Sequence, residues 1–217
     1  MYNPTISEDA LLKLENAYGF CLPNEYRDFL KYIGNGGEPP RYGILSAEDA
    51  LAIHNIDAMM KRHKKGEYNL KTGGLVETYL DSFEGFSLDE LYNGTRTRSV
   101  HASNVDNMVF EDYIDADTNN LKFSSLKEID FNAYCSYLNE FRKHMLIVDF
   151  YVDIGTEYGI VLDGKYKDEV VYFCQNIETS DVLFTHYSFL DWILDYYRKL
   201  LSCELNGSGW YTMFARF

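Results

Sequence analysis

The strongest constraint on the fold is a change of hydrophobic period near residue 145. Four runs rich in β-branched and aromatic residues follow one another: "MLIVDFYVDI", "YGIVLD", "EVVYFCQ" and "DVLFTH". Only "GTE", "GKYKD" and "NIETS" separate them, and these short polar stretches are typical of turns. The pattern predicts a meander, in which consecutive strands pair antiparallel.

Amphipathic helices are predicted on both sides of the meander, each from apolar residues at helical spacing behind a residue that favours a helix start. They run from the capping box Thr5–Glu8 to Gly19, from Pro23 to the glycines 34–37, from Ser46 to the basic run Lys61–Lys65, over residues 126–143, and from Ser188 to Asn206 and Gly207. No repeat or linker divides the chain. We therefore expect an α+β fold, with helices packed on a mainly antiparallel sheet, in a single domain of residues 1–217.

The glycine cluster "GNGG" at residues 34–37 allows two interpretations. Glycines that open a helix can cradle an anion, because free N–H groups and the positive end of the helix dipole face the ligand. These glycines follow a helix, where the left-handed C′ position favours glycine and the unpaired carbonyls repel anions. The sequence favours a structural corner over a phosphate site.

The amino-terminal corner resembles the signature of the SUKH superfamily. The matching residues are Glu15 and Gly19 in an ExxxG spacing, Leu22 and Pro23, Tyr26, Leu30, and then Asn35, Gly36 and Gly37 of "NGGEP". In the carboxyl third, the hairpin "IVLDGKYKDEVVYF" and the segment "SFLDWI", which starts at Ser188 and Phe189, are similar to the family's glycine-turn hairpin and terminal helix. The matching blocks cover about residues 5–44 and 143–201, so residues 45–142 are expected to be a family-variable or inserted segment.

The resemblance implies an α+β fold with helices on one sheet. It also implies, for bacterial members, most often an immunity protein that binds and neutralises a secreted or contact-delivered toxin, frequently a nuclease or a nucleic-acid deaminase. Fungal members regulate cell-wall synthesis instead. Neither catalytic residues nor a cofactor come with the resemblance.

Charge is the most informative bulk property. The chain has 34 Asp and Glu against 20 Lys and Arg, for a formal net charge of −14 at pH 7. A nucleic-acid binder needs cations that displace counterions from phosphates, so direct nucleic-acid binding is not expected. The acidity suits a basic partner, or solubility alone. No basic, apolar leader opens the chain and no apolar run approaches the roughly 20 residues of a membrane span, which predicts a cytoplasmic protein.

The acids are concentrated in segments that lack basic residues. Carboxylates presented beside aromatic anchors would increase the association rate with a basic partner and orient it. The candidate contact residues are Glu111, Asp112, Asp115 and Asp117 in the middle segment and Asp149, Asp153, Glu157 and Asp163 around the first hairpin. The alternative is that these acids are merely solvated.

Metal binding and nucleophilic catalysis are only weakly indicated by the sequence. Asp115, Asp117 and Asn119 have the spacing of the first three EF-hand ligands, but Asn120 and Leu126 replace the required glycine and bidentate glutamate. A solvated acidic loop is therefore favoured over a weak calcium site. The four cysteines and five histidines show no spacing typical of a zinc site or an activated nucleophile.

These observations predict a non-enzymatic immunity protein, without metal or cofactor, that acts as a monomer or a small homo-oligomer. Its partner would be a cognate, basic toxin. Two alternatives remain from other classes: a regulatory adaptor that binds a cellular protein, and a hydrolase whose site is assembled from residues distant in sequence.

Overall fold

A computed structural model describes residues 1–38, 43–69, 76, 108–122, 131–151, 156–175 and 180–202. It has the predicted α+β fold. The helices are α1 (Glu8–Tyr18), α2 (Asn24–Tyr32), α3 (Ala47–His54), α4 (Ile56–Lys64), α5 (Phe131–Arg142) and α6 (Phe189–Leu201), with a 3-10 helix at Phe110–Tyr113. The strands are β1 (Met145–Tyr151), β2 (Thr156–Val161), β3 (Glu169–Gln175) and β4 (Ser180–Ser188).

The four strands form one antiparallel sheet in the order β1-β2-β3-β4, which confirms the predicted meander. Helices cover both of its faces. Trp192 of α6 packs on Tyr158 of β2, with ring centroids 5.0 Å apart. Tyr172 is the cross-strand partner of Tyr158, so the next residue, Phe173, points to the opposite face, where Phe141 of α5 lies 5.3 Å away.

The corner between α1 and α2 is held by the buried carboxylate of Glu15. This side chain is only 4% exposed, accepts a hydrogen bond from the Leu22 N–H at 2.8 Å, and forms an ion pair with Arg27 of α2. Gly19 ends α1, as predicted, and it has a left-handed conformation. The ExxxG spacing therefore places a carboxylate beside a chain reversal that Gly19 makes sterically accessible.

Replacing Glu15 by Ala is expected to lower the free energy of unfolding by about 2–3 kcal/mol, because the buried Leu22 N–H loses its acceptor. Glu8→Ala is the matched control: Glu8 pairs with the same Arg27 but is 48% exposed, so its loss should cost less than about 1 kcal/mol. Urea denaturation of both variants measures the difference. Equal losses would contradict the role assigned to Glu15.

The two segments that resemble the SUKH superfamily are in direct contact. Phe189, at the start of α6, packs against Tyr26 and Phe29 of α2 with ring centroids 5.1 and 5.5 Å apart. The Glu25 carboxylate accepts a hydrogen bond from the Leu190 N–H at 2.8 Å. Ser188 caps α6 as predicted, its hydroxyl accepting from the Asp191 N–H. Leu22 and Leu30 complete this buried region.

The predicted left-handed cap at the end of α2 is wrong. α2 follows Pro23 and ends at Tyr32, and the cap residue Ile33 has a right-handed conformation. The glycines instead allow backbones to approach closely: Gly37 exchanges two backbone hydrogen bonds with Ile44, and a Cβ on Gly36 would lie 2.7 Å from the Ile44 carbonyl. Asn35 contributes to the next helix, since its side-chain oxygen accepts from the Ala47 N–H at 2.9 Å.

Four helix boundaries also differ from those predicted. The cap of α1 is Ser7 and not Thr5, because the Ser7 hydroxyl accepts from the Ala10 N–H. The single helix predicted after Ser46 is two helices separated at Asn55, whose side chain accepts from the Ala58 N–H and donates to the Tyr18 carbonyl.

The last helix ends at Leu201, with Ser202 as its cap, before the predicted Asn206. α5 ends at Arg142, one residue before the predicted limit, and the predicted residues 126–130 lie outside the described part. Among the helices that the structure describes, none is long and apolar enough to cross a membrane.

Candidate partner-binding surface

Residues 108–122 lie in the middle of the chain and pack on the sheet; we call them the docked segment. Their 3-10 helix and an antiparallel bridge between Ile114 and Leu121 give a compact loop with four buried apolar side chains: Phe110, Tyr113, Ile114 and Leu121. The Phe110 and Tyr113 rings lie 5.2 and 5.1 Å from those of Phe141 and Tyr137 on α5. This part of the predicted variable segment therefore belongs to the core.

One end of the docked segment is fixed to the β2–β3 turn, residues 162–168. Asp163 accepts a hydrogen bond from the Phe110 N–H at 2.9 Å and contacts His144 Nδ1 at 2.6 Å. The Glu111 carboxylate accepts from the Lys165 N–H and lies against Gly164. Two of the predicted contact acids, Glu111 and Asp163, thus attach the docked segment to the sheet.

The other end of the docked segment covers part of the outer edge of β4. The Asn119 carbonyl accepts from the Val182 N–H at 3.2 Å, and Asn120 forms a bridge with Asp181. Unpaired strand edges can pair with other chains, and covering them is one way in which proteins prevent this. The docked segment is therefore held at both ends and presents its polar side to solvent.

Asp149 and Glu157 are not surface residues, which corrects their assignment as partner contacts. They are 4% and 1% exposed, because β1 and β2 are covered by helices. Glu157 pairs with Arg142 of α5 at 3.1 Å; burial raises the pKa of Glu157, and the Arg142 guanidinium opposes that rise. Charge reversal at either position would therefore disturb the core. Asp153 lies outside the described residues.

The accessible acids of the docked segment are Asp112, Asp115 and Asp117; together they form what we call the acidic surface. Asp112 also accepts a hydrogen bond from the Val109 N–H at 3.0 Å. Asp115 accepts from the N–H groups of Asp117 and Thr118, and these backbone hydrogen bonds lower the pKa of Asp115. Backbone N–H groups therefore hold the carboxylates of Asp112 and Asp115 in place.

The EF-hand spacing has a different use in the structure. The Asp115 carboxylate stabilises a turn by accepting hydrogen bonds from the backbone N–H groups two and three residues later, which is a common role of Asp in loops. Within the described ranges, no group of three or more His, Cys, Asp or Glu side chains is placed to hold a metal ion.

The contact between His144 and Asp163 was missed from the sequence. A carboxylate that orients an imidazole is also the arrangement of many catalytic bases. In the part of the chain that the structure describes, however, no hydroxyl or thiol is hydrogen-bonded to His144, and the Tyr113 ring packs 5.3 Å from it. The contact between His144 and Asp163 instead helps to attach the docked segment to the sheet. No spacing of the two residues, which are 19 apart, would have revealed it.

Comparisons of the chain with protein-family models, with curated proteins and with solved structures found no match. The resemblance to the SUKH superfamily therefore stays a prediction carried by the motifs of the two terminal blocks.

Proposed function

We propose that this protein is a cytoplasmic immunity protein that binds and neutralises a basic toxin. The acidic surface of the docked segment is the proposed contact. The observation that carries the proposal is the placement of Asp112, Asp115 and Asp117 on a loop whose apolar side is buried in the core. The toxin class follows from the family resemblance and from the charge of the chain.

Electrostatics support a basic partner. The docked segment carries Glu111 in addition to the acidic surface, and Lys122 is its one cation, so its formal charge is four acids against one base, or −3. Enzymes that act on nucleic acids bind phosphates through cationic grooves. Complementary potentials accelerate the encounter with such a groove and orient it.

Rigidity supports the same proposal. A loop fixed before binding loses less conformational entropy on association than a loop that must first be ordered. Asp163 and Asn119 attach the two ends of the docked segment, and its aromatic side chains are buried between them. The acidic surface therefore meets a partner in a defined arrangement.

Neutralising two accessible acids should slow association with the toxin. The double variant Asp112→Asn with Asp117→Asn removes two charges and keeps a side-chain oxygen that can accept from the Val109 N–H. We expect the association rate constant to fall about 2- to 10-fold at low salt, with a smaller effect on the dissociation rate constant. Stopped-flow mixing with the purified toxin measures this rate.

Asp9→Asn with Asp28→Asn is the matched control, because it removes the same charge from α1 and α2. An equal decrease in both double variants would mean that only the net charge of the chain matters. In that case the acidic surface would have no specific role.

A further inference from the structure

A bulge in β4 exposes an imidazole. Val171 pairs with Phe184 and Glu169 pairs with Ser188, so β4 advances four residues where β3 advances two. The additional residues form the β4 bulge, Thr185–Tyr187. His186 at its centre has φ +56° and is 74% exposed. Bulges redirect side chains out of the regular ladder.

The β4 bulge is firmly fixed. The Thr185 hydroxyl donates to the Val170 carbonyl at 2.6 Å and accepts from the Tyr187 N–H at 3.2 Å. His186 Nδ1 lies 3.3 Å from a Glu169 carboxylate oxygen, and its ring is within 17° of parallel to that of Phe184. The imidazole is thus held at Nδ1 by Glu169, while most of its ring stays exposed.

Two residues with strained backbone lie close together at the β4 bulge. Among the described residues, three that are not glycine have a positive φ: Asn119, Asp168 and His186. Asp168 directly precedes Glu169, and His186 contacts it. Left-handed conformations are unfavourable for side chains with a Cβ, and such residues cluster at binding sites, where the surrounding structure maintains them.

We propose that the β4 bulge anchors an arginine side chain of a basic protein partner. The guanidinium stacks on the open face of His186 and pairs with the Glu169 carboxylate, while Tyr187, which is also exposed, covers its edge. This inference rests on the proposed function for the identity of the partner, and it identifies the residue type that the partner inserts.

Arginine fits this site better than lysine. The guanidinium is planar, stacks on aromatic rings and meets a carboxylate with two parallel hydrogen bonds, whereas the ammonium of lysine does neither. Exposed Asp168 adds negative charge beside Glu169. The docked segment also adjoins the β2–β3 turn that leads into Glu169, since the Glu111 carboxylate accepts from the Lys165 N–H. One basic partner can therefore reach the acidic surface and the bulge together.

A peptide titration tests the anchor on the full chain. Octa-arginine and octa-lysine carry the same side-chain charge, and amide resonances of the ¹⁵N-labelled protein report where each binds. We expect saturable shifts at residues 166–169 and 184–187 with octa-arginine, and an affinity at least about 5-fold lower for octa-lysine. Equal affinities for the two peptides, or no shifts at residues 166–169 and 184–187, would overturn the proposal.

His186→Gly separates binding from folding, because glycine accepts the positive φ without a ring. We expect the melting temperature to rise by about 2–4 °C and the octa-arginine affinity to fall about 5-fold. Asp9→Asn and Glu169→Gln each remove one carboxylate, and only the latter should weaken binding. If His186→Gly lowers the melting temperature or leaves the affinity unchanged, His186 has a structural role and the anchor is wrong.

These experiments distinguish a failure of the proposed toxin-binding function from a failure of the arginine anchor. Octa-arginine binding at the β4 bulge in a protein that binds no toxin would remove the proposed function and keep the anchor. Toxin binding that Asp112→Asn with Asp117→Asn weakens but His186→Gly leaves unchanged would remove the anchor alone.

Discussion

Gly164→Ala is expected to lower the free energy of unfolding by about 2–4 kcal/mol and to loosen the docked segment. Gly164 has φ +74°, which is unfavourable for alanine, and a Cβ there would overlap the carboxylate of Glu111. Glu111 also accepts from the Lys165 N–H, so displacing its carboxylate would weaken that hydrogen bond. Urea denaturation measures the loss, and amide hydrogen exchange over residues 108–122 reports the loosening.

Gly66→Ala is the matched control. Gly66 has φ +73° but nothing within 4 Å of an added Cβ. Alanine there would have the unfavourable left-handed conformation without a clash, so the free energy of unfolding should fall by only about 1 kcal/mol. The second control is Gly164→Ala combined with Glu111→Ala, in which the overlap is absent. If Gly164→Ala and Gly66→Ala lower the free energy of unfolding equally, the contact between Glu111 and the β2–β3 turn contributes little to attachment of the docked segment.

Arg142→Met should be the most damaging substitution in the sheet region. It leaves Glu157, which is 1% exposed, without its cation, and breaking a buried ion pair on one side typically costs about 3–5 kcal/mol. Arg142 also lies over the Phe173 ring, 5.6 Å from its centroid. Arg142→Met with Glu157→Leu removes both charges, and we expect it to be within about 1 kcal/mol of the native protein.

Acidification should partly rescue Arg142→Met. Burial raises the pKa of Glu157 above its unfolded value, and losing Arg142 removes the effect that opposes this rise. The folded state then binds the proton more tightly than the unfolded state, so stability is lowest above the folded pKa and increases as the pH falls through it. Denaturation curves measured from neutral to mildly acidic pH check the sign. A loss that grows on acidification relative to the native protein would contradict it.

The sequence specified those parts of the fold that depend on local signals. The meander followed from runs of β-branched residues between turns, and Ser46, Ser188 and Gly19 were identified as caps because capping depends on neighbours within one helical turn. Asn55 was missed because its side chain is fixed by the distant Tyr18 carbonyl as well as by its own helix.

The candidate surface was only partly predictable, since acid-rich segments do not reveal which carboxylates are buried. Glu157 is buried because Arg142, on a different element, neutralises it. Glu111 meets the Lys165 N–H across 54 residues of sequence, a contact that no motif specifies. Asp112 and Asp117 remain exposed because other side chains of the docked segment, such as Phe110 and Tyr113, are the ones buried in the core.

Protection of cells from a toxin tests the central claim most directly. The toxin candidate is the product of the gene immediately upstream, expressed from an inducible promoter with and without this protein. The account predicts that growth is restored by the native chain, and restored less well by Asp112→Asn with Asp117→Asn than by the control Asp9→Asn with Asp28→Asn. Unchanged toxicity in the presence of the native chain, together with no binding between the purified proteins, would contradict it.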